Sequence, residues 1–300
     1  MHSESSPAGK FLRVQPRRVW RTARGELDLE RPRIMGIVNV TPDSFYDGGR
    51  LPTPDSAIAH ALQLVEQGAD IIDVGGESTR PGAQPVSAQE ELARVLPVIR
   101  GVLSSLPEMI ISIDTVKSEV ARAALECGAA VLNDVSGLRL DRRIGSVAAE
   151  SNAGLVLMHS RGSVAEMASY ELAVYNGDAV AEVSGELGRA AAAAVELGVN
   201  SDHIVLDPGL GFSKRTEHSV ALIARLAELQ AHGHPILIGP SRKRFIGELS
   251  GGAPSADRLE GTIAACVAGL LQGARIFRVH DVKAVRRALD VAEAIRRASA

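Results

Sequence analysis

Eight short aliphatic runs, each followed by a longer stretch with helical spacing, constrain this chain more than any other feature. The runs cover 34–40, 70–74, 109–113, 131–133, 155–158, 204–206, 236–238 and 276–279. Each is rich in Val, Ile or Leu and largely lacks polar alternation, the pattern of strands covered on both faces. Between them, 56–67, 88–103, 117–127, 179–197, 217–229, 259–271 and 282–297 carry apolar residues spaced for amphipathic helices. The link 144–150 has a weaker helical pattern. Gly68, Gly128, Gly198 and Gly273 each follow a helical run and precede a strand, where glycine can adopt the left-handed conformation that ends a helix.

Eight strand–helix units can form a closed barrel or an open doubly wound sheet. Polar residues recur at the C-terminal ends of the runs: Asn39, Asp73, Asp114, Asn133, His159, Asp207, Ser241 and His280. In a closed barrel these ends meet at one mouth; in an open sheet they spread along an edge, with chemistry confined to a switch point. The expected fold is therefore α/β, a TIM (β/α)8 barrel in a single domain. The expected organisation is a tail and hairpin over residues 1–31, its 12–31 part closing the barrel bottom, and a barrel over 32–300.

Composition supports this choice. Hydrophobic residues make up 45% and aromatics only 3%, so the core is built from Ala, Val, Leu and Ile, which suits helices on aliphatic parallel strands. The net charge of −3 is spread along the chain, without the concentrated basic surface of a nucleic-acid binder. Cys127 and Cys266 fall in helical segments outside any metal-ligand spacing and read as buried, inert thiols. No apolar run reaches the roughly 18 residues that span a bilayer. The first ten residues lack a signal-peptide hydrophobic stretch. A cytoplasmic location and no membrane partner are the expectation.

Several segments carry chemistry. After the first run, Asn39 precedes a turn-rich loop containing Thr-Pro-Asp and Asp-Gly-Gly; its amide offers an oxygen to a hard cation, or it simply bonds local backbone. In Asp73-Val-Gly-Gly-Glu-Ser-Thr-Arg-Pro-Gly82, the glycines permit close backbone approach and Ser78, Thr79 and Arg80 supply donors for an oxyanion; a solvated turn is the alternative. Asp114, Asn133 and Asp207 each cap a different aliphatic run. One such Asp is commonly a helix cap, but three such residues on separate strands match a flat heterocycle with adjacent ring N–H and amino groups. Ser241, Arg242, Lys243 and Arg244 follow a strand directly, able to hold a ring carbonyl and an acidic group or to form a solvated basic turn. Arg278 and His280 share one strand face and suit a pyrophosphate. No P-loop, dinucleotide-type glycine signature, Cys/His metal cluster or nucleophile elbow is present. The chemistry indicated is displacement of a good leaving group.

Taken together, these motifs resemble the dihydropteroate synthases, a pterin-binding TIM-barrel family. The resemblance covers roughly residues 33–297 and rests on the segments 35–45, 73–82, 113–115, 133–137, 207–212, 241–243 and 278–281, in the family's order. It implies a transferase of folate biosynthesis that condenses 6-hydroxymethyl-7,8-dihydropterin pyrophosphate with 4-aminobenzoate, releasing pyrophosphate, and that is a sulfonamide target. Asp114, Asn133, Asp207 and Lys243 would bind the pterin, with Met158 and Phe212 lining its pocket. Asn39, Arg80, Arg278 and His280 would bind the pyrophosphate, Asn39 reaching its Mg²⁺. Phe45, Thr79, Pro81 and Ser241 would border the aminobenzoate. Asp73 would belong to the mobile assembly of the first two loops and help organise the anion site; Asp73, Asp114, Lys243 and Arg278 would carry the chemistry. The family commonly pairs as a homodimer through outer helices. Tyr46 stands where a small residue commonly follows the Ser-Phe pair, and Ser213 replaces a frequent Gly. A pterin-dependent methyltransferase would share the Asp114/Asn133/Asp207 site without needing Ser-Thr-Arg-Pro-Gly, Ser-Arg-Lys or the Arg-x-His pair. A catalytically silent paralogue that binds a pterin or a partner protein is the other alternative.

Overall fold

The computed structural model describes residues 17–41, 53–79 and 84–298. All eight aliphatic runs are parallel strands of one sheet. After a hairpin of β1 (Val19–Thr22) and β2 (Gly25–Asp28) come β3 (Arg33–Asn39), α1 (Pro54–Glu66), β4 (Ile71–Gly75), α2 (Ala88–Ser105), β5 (Ile110–Asp114) and α3 (Ser118–Glu126). Then follow β6 (Val131–Asp134), α4 (Arg143–Glu150), β7 (Gly154–Met158), α5 (Ala179–Glu196), β8 (Ile204–Asp207) and α6 (Thr216–Ala224). The chain ends through β9 (Leu237–Ile238), α7 (Arg244–Leu249), α8 (Leu259–Leu271), β10 (Ile276–Val279) and α9 (Val282–Ala298).

The strand order is β8-β7-β6-β5-β4-β3-β10-β9. A parallel bridge from Leu206 to Ile236 joins the two ends, with Leu206 N donating to Pro235 O at 3.0 Å. The sheet is thereby a nearly closed barrel rather than an open one, as the convergence of polar strand ends predicts. No helix of the described residues is long and apolar enough to cross a membrane.

Strand parity divides the core in two. Ile34, Val38, Ile72, Val74, Ile111, Ile113, Leu132, Leu155, Leu157 and Phe277 face outward and pack with Leu64, Ile99, Val120 and Leu289 of the surrounding helices. Met35, Ile71, Val131, Val156, Val205, Leu237 and Ile276 face inward as the barrel's floor layer. The β1–β2 hairpin seals that floor from below: Trp20, Leu27 and Leu29 join the same cluster, and Trp20 Nε1 donates to His203 O at 2.8 Å. Trp20 lies so close to β7 that a Cβ on Gly154 would stand 2.9 Å from its ring.

Local signals explain most boundaries. Thr53 caps α1 by accepting from Ser56 N, with Pro54 at the first helical position, and Ser87 caps α2 by accepting from Glu90 N. Gly68, Gly128, Gly198 and Gly273 all have positive φ, as helix-ending glycines should. The link 144–150 is a true two-turn helix, α4, burying Ile144, Val147 and Ala148. One expectation fails. The segment 217–229 is not a single helix, because α6 stops at Ala224 and a 3-10 helix runs over Leu226–His232. Arg225 at the break binds Asp178, the N-cap of α5, at 2.8 and 2.7 Å, a pairing that periodicity does not reveal.

Replacing the plug should be costly. Trp20→Ala is expected to destabilise the fold by about 3–5 kcal/mol, the usual range for truncating a buried Trp. Urea denaturation reads this directly, and an unchanged midpoint would show that the hairpin is dispensable to the barrel.

Candidate active site at the barrel mouth

Above the floor layer, the same inward parity changes from apolar to ionic. Two residues past Ile71 comes Asp73; past Val131, Asn133; past Val205, Asp207; past Ile276, Arg278; and on β5 Ser112 is followed by Asp114. The expected convergence is therefore present, with Asp207 and Lys243 beside the same Arg278 that shares Asp73 with Asn133.

At its centre is one guanidinium between two carboxylates. Arg278 Nε donates to Asp73 Oδ2 at 2.6 Å and its Nη2 to Asp114 Oδ2 at 2.5 Å. Asn133 Nδ2 also donates to Asp73 Oδ2, at 3.1 Å. Burial opposes the charge on Arg278, but Asp73 and Asp114 outweigh it and raise its pKa. Burial pushes Asp114 above the usual carboxylate range, Arg278 opposing and Asp73 reinforcing the rise.

Asp73 lies inside β4, as its place in the run 70–74 predicts, fully buried, with Oδ1 making no hydrogen bond among the described residues. Its parity with Ile71 turns it inward beneath the mouth, so it orients Arg278 and Asn133 from below.

Asp207 and Lys243 complete the polar half. Asp207 Oδ1 accepts from Gly209 N at 2.7 Å; burial pushes its pKa up to about 6 against that bond and the nearby Lys243. Gly209 is obligatory: its φ is 66°, and a Cβ there would lie 2.0 Å from His159 O. Lys243 Nζ sits 3.5 Å from the centroid of the Phe212 ring. Burial and Arg278 lower its pKa to about 7. Phe212 and Met158 form one buried apolar wall with Val116, Val135 and Met167.

At the rim, Ser241 Oγ lies 2.9 Å from His280 Nδ1 and accepts from His280 N at 3.2 Å. In the tautomer in which Ser241 Oγ donates to Nδ1, Nε2 carries the ring proton. Burial, with Arg242 and Arg278 nearby, lowers His280 to about 3, so the imidazole is neutral. Arg242, between Ser241 and Lys243, adopts φ 57° and is tied to Asp281 at 2.9 and 2.6 Å. Thr79 is half-buried in the loop after β4. Phe45, Arg80 and Pro81 lie outside the described residues, as does Tyr46.

His159 does not join the mouth. Its neighbour Met158 faces inward, so His159 faces outward, where Nε2 meets Glu186 on α5 at 3.0 Å and Nδ1 meets Lys214 Nζ at 2.8 Å. Lys214, absent from the sequence reading, is fully buried and also donates to Phe212 O at 2.9 Å. Its only signal was its place two residues after Phe212. Glu77 was likewise passed over within its motif: it receives Lys117 Nζ at 2.9 Å and Val86 N at 3.0 Å, pinning both ends of the second loop. Lys117 in turn reaches the buried Glu91 of α2 at 2.6 Å.

Asn39 ends β3 opposite Gly75 of β4. A Cβ on Gly75 would lie 3.7 Å from both Asn39 Oδ1 and Asp114 Oδ2, so glycine leaves a gap flanked by two hard oxygen donors. No group of three or more His, Cys, Asp or Glu able to hold a metal occurs among the described residues. The Asn39 oxygen is of the kind Mg²⁺ takes, an ion that binds one or two protein oxygens and completes its shell with water and substrate phosphates.

The chain is similar to known proteins along most of its length. The pterin binding enzyme family matches residues 35–280. A dihydropteroate synthase of Synechocystis is 44% identical over 266 residues, covering 89% of this chain and 91% of the relative. Among solved structures, the Xanthomonas albilineans dihydropteroate synthase with 4-aminobenzoic acid superposes with a TM-score of 0.86 at 44% identity, over 93% of this chain and 98% of that one. The same organism's enzyme in complex with 7,8-dihydropteroate gives a TM-score of 0.81 at 42% identity, over 90% and 96% of the respective chains.

Removing the central cation should leave two buried acids uncompensated. Arg278→Ala is expected to cost about 3–5 kcal/mol of stability, as breaking buried ion pairs does. The deficit should shrink at lower pH, where the unpaired acids protonate. Denaturant melts at two pH values test this; a pH-independent loss would contradict it.

Proposed function

The chain belongs to the pterin-binding enzyme family, and we infer that it catalyses the dihydropteroate synthase reaction, a transferase step of folate biosynthesis. The substrates are 6-hydroxymethyl-7,8-dihydropterin pyrophosphate and 4-aminobenzoate, and the products are 7,8-dihydropteroate and pyrophosphate. The observation that carries this reading is the inward convergence of Asp114, Asn133 and Asp207 from three strands, with Arg278 and Lys243 among them.

Asp207 and Asn133 would take the amino and ring N–H edge of the pterin, with Asp114 beside them and Lys243 on the ring carbonyl. Met158 and Phe212 would bear on the ring face. A buried apolar wall next to carboxylates supports this assignment, since a pterin is flat, polar at its edge and apolar on its faces. Reaction begins with cleavage of the bond between the exocyclic methylene and the pyrophosphate oxygen, which keeps the electron pair. The resulting cation is delocalised over the ring and stabilised by the carboxylates already fixed nearby. The arylamine nitrogen then forms the new C–N bond and loses a proton.

Arg278 spends two of its five N–H donors on Asp73 and Asp114, which leaves donors for the departing pyrophosphate. Neutral His280 would add its Nε2 proton, and Arg80 would belong to the same anion site. Asn39 would hold Mg²⁺ through its amide oxygen; when bound, the ion supplies charge neutralisation at the leaving group. Thr79 and Ser241, with Phe45 and Pro81, would border the aminobenzoate, the place where a sulfonamide would compete. Exposed apolar residues Leu271, Val291 and Ile295 on α8 and α9 support pairing of two copies through outer helices.

A pyrophosphate-release assay with 4-aminobenzoate tests the reaction. Release that depends on both substrates is expected; a methyltransferase or a silent paralogue would give none. Asp114→Asn is expected to weaken pterin binding by about 1.5–3 kcal/mol, the worth of a hydrogen bond to a charged group. The raised pKa of Asp207 sets a pH profile: the ring donors need an ionised acceptor, so affinity should fall as pH drops through about 6. Calorimetric titration with a pterin across that range reads both effects, and Asp207→Asn should flatten the profile.

A further inference from the structure

Ser213 is a non-glycine residue held in the left-handed region, at φ 48°, and it is fully buried. Such a conformation is strained for an L side chain and persists only where its surroundings over-determine it. Here they do. Ser213 N donates to Met167 O at 2.6 Å, and Tyr175 OH donates to Ser213 O at 2.9 Å. Its Oγ accepts from Arg161 N at 2.9 Å and has Arg161 O at 3.1 Å and Met167 O at 3.2 Å as acceptors for its own hydrogen.

Every polar group of this one residue is thus spent on the segment between β7 and α5, at its start, middle and end. That segment carries Met167, fully buried against Phe212, Met158, Val116 and Val135. Arg161 also closes over the Tyr175 ring at 4.3 Å and binds Glu186 of α5 at 2.5 Å, so the pinned segment is anchored on its far side. The positive φ sends the Ser213 side chain toward this segment, while Lys214 turns back to Phe212 O and His159. The backbone reversal therefore couples two loops immediately behind the ring of Phe212.

We propose that Ser213 is a positioning residue whose hydroxyl holds segment 161–175 against Phe212, completing the apolar wall on which the pterin ring lies. The proposal rests on the pterin reading of the mouth. It assigns Ser213 to binding of the pterin substrate alone, because nothing it touches lies at the rim where Ser241 and Thr79 stand.

Two variants separate the hydroxyl from the backbone. Ser213→Ala removes all three Oγ contacts and keeps a strained φ; Ser213→Gly removes them and relieves the strain, leaving the backbone bonds to Met167 O and Tyr175 OH available. Steady-state pyrophosphate release should show KM for the pterin pyrophosphate raised about fivefold in both, the factor equivalent to roughly one net hydrogen bond. KM for 4-aminobenzoate and kcat should stay within about twofold, a split that simple loss of folded protein would not produce. Trypsin should also cleave after Arg161 faster in both variants. Unchanged pterin KM, or wild-type behaviour of Ser213→Gly, would overturn the proposal. If the unmodified protein releases no pyrophosphate, the synthase reading fails instead; direct titration with a pterin then tests Ser213 by the same fivefold criterion.

Discussion

One guanidinium between two strands' carboxylates organises the upper half of this barrel. Arg278 cannot leave without stranding the fully buried Asp73, and Asp73 cannot leave without releasing Asn133. Buried ions are tolerated only when paired and hydrogen-bonded. The arrangement therefore links β10, β4, β5 and β6 through charge where the floor links them through methyl groups. A site assembled this way is set before substrate arrives, and its dipoles need little rearrangement as charge develops on the reacting carbon.

Around that centre, support comes from residues that face the other way. Gly209 brings the β8 loop against His159 O, Arg242 turns the β9 loop with Asp281 as its tether, and Glu77 anchors the β4 loop to Lys117. In the first two cases a residue pointing away from the site fixes where its neighbour points in. Asp207 and Lys243 are those neighbours. Rigid strands supply position and short loops supply direction, the division of labour that lets barrels host varied chemistry at one end.

The eight strands and the inward acids were legible because their signals are local. Aliphatic runs mark strands, and a polar residue closing such a run marks the mouth. Parity on β7 was the neglected clue: with Met158 inward, His159 had to face outward. Other features needed three dimensions. Lys214 gains its importance from a backbone reversal at Ser213, and the break at Arg225 from an acid on the preceding helix's cap. Apolar spacing runs on through 217–229 and carries no trace of that acid.

The hairpin beneath the floor has a consequence for how the molecule assembles. Trp20 precedes every strand of the barrel, yet the floor layer it joins runs from Met35 to Ile276. A ribosome presents the indole long before it presents the last strand, and contacts spanning such sequence distances form slowly. Completing that layer therefore waits on β10, and a chain truncated before it would lack both Ile276 and the strand that joins β3 to β9.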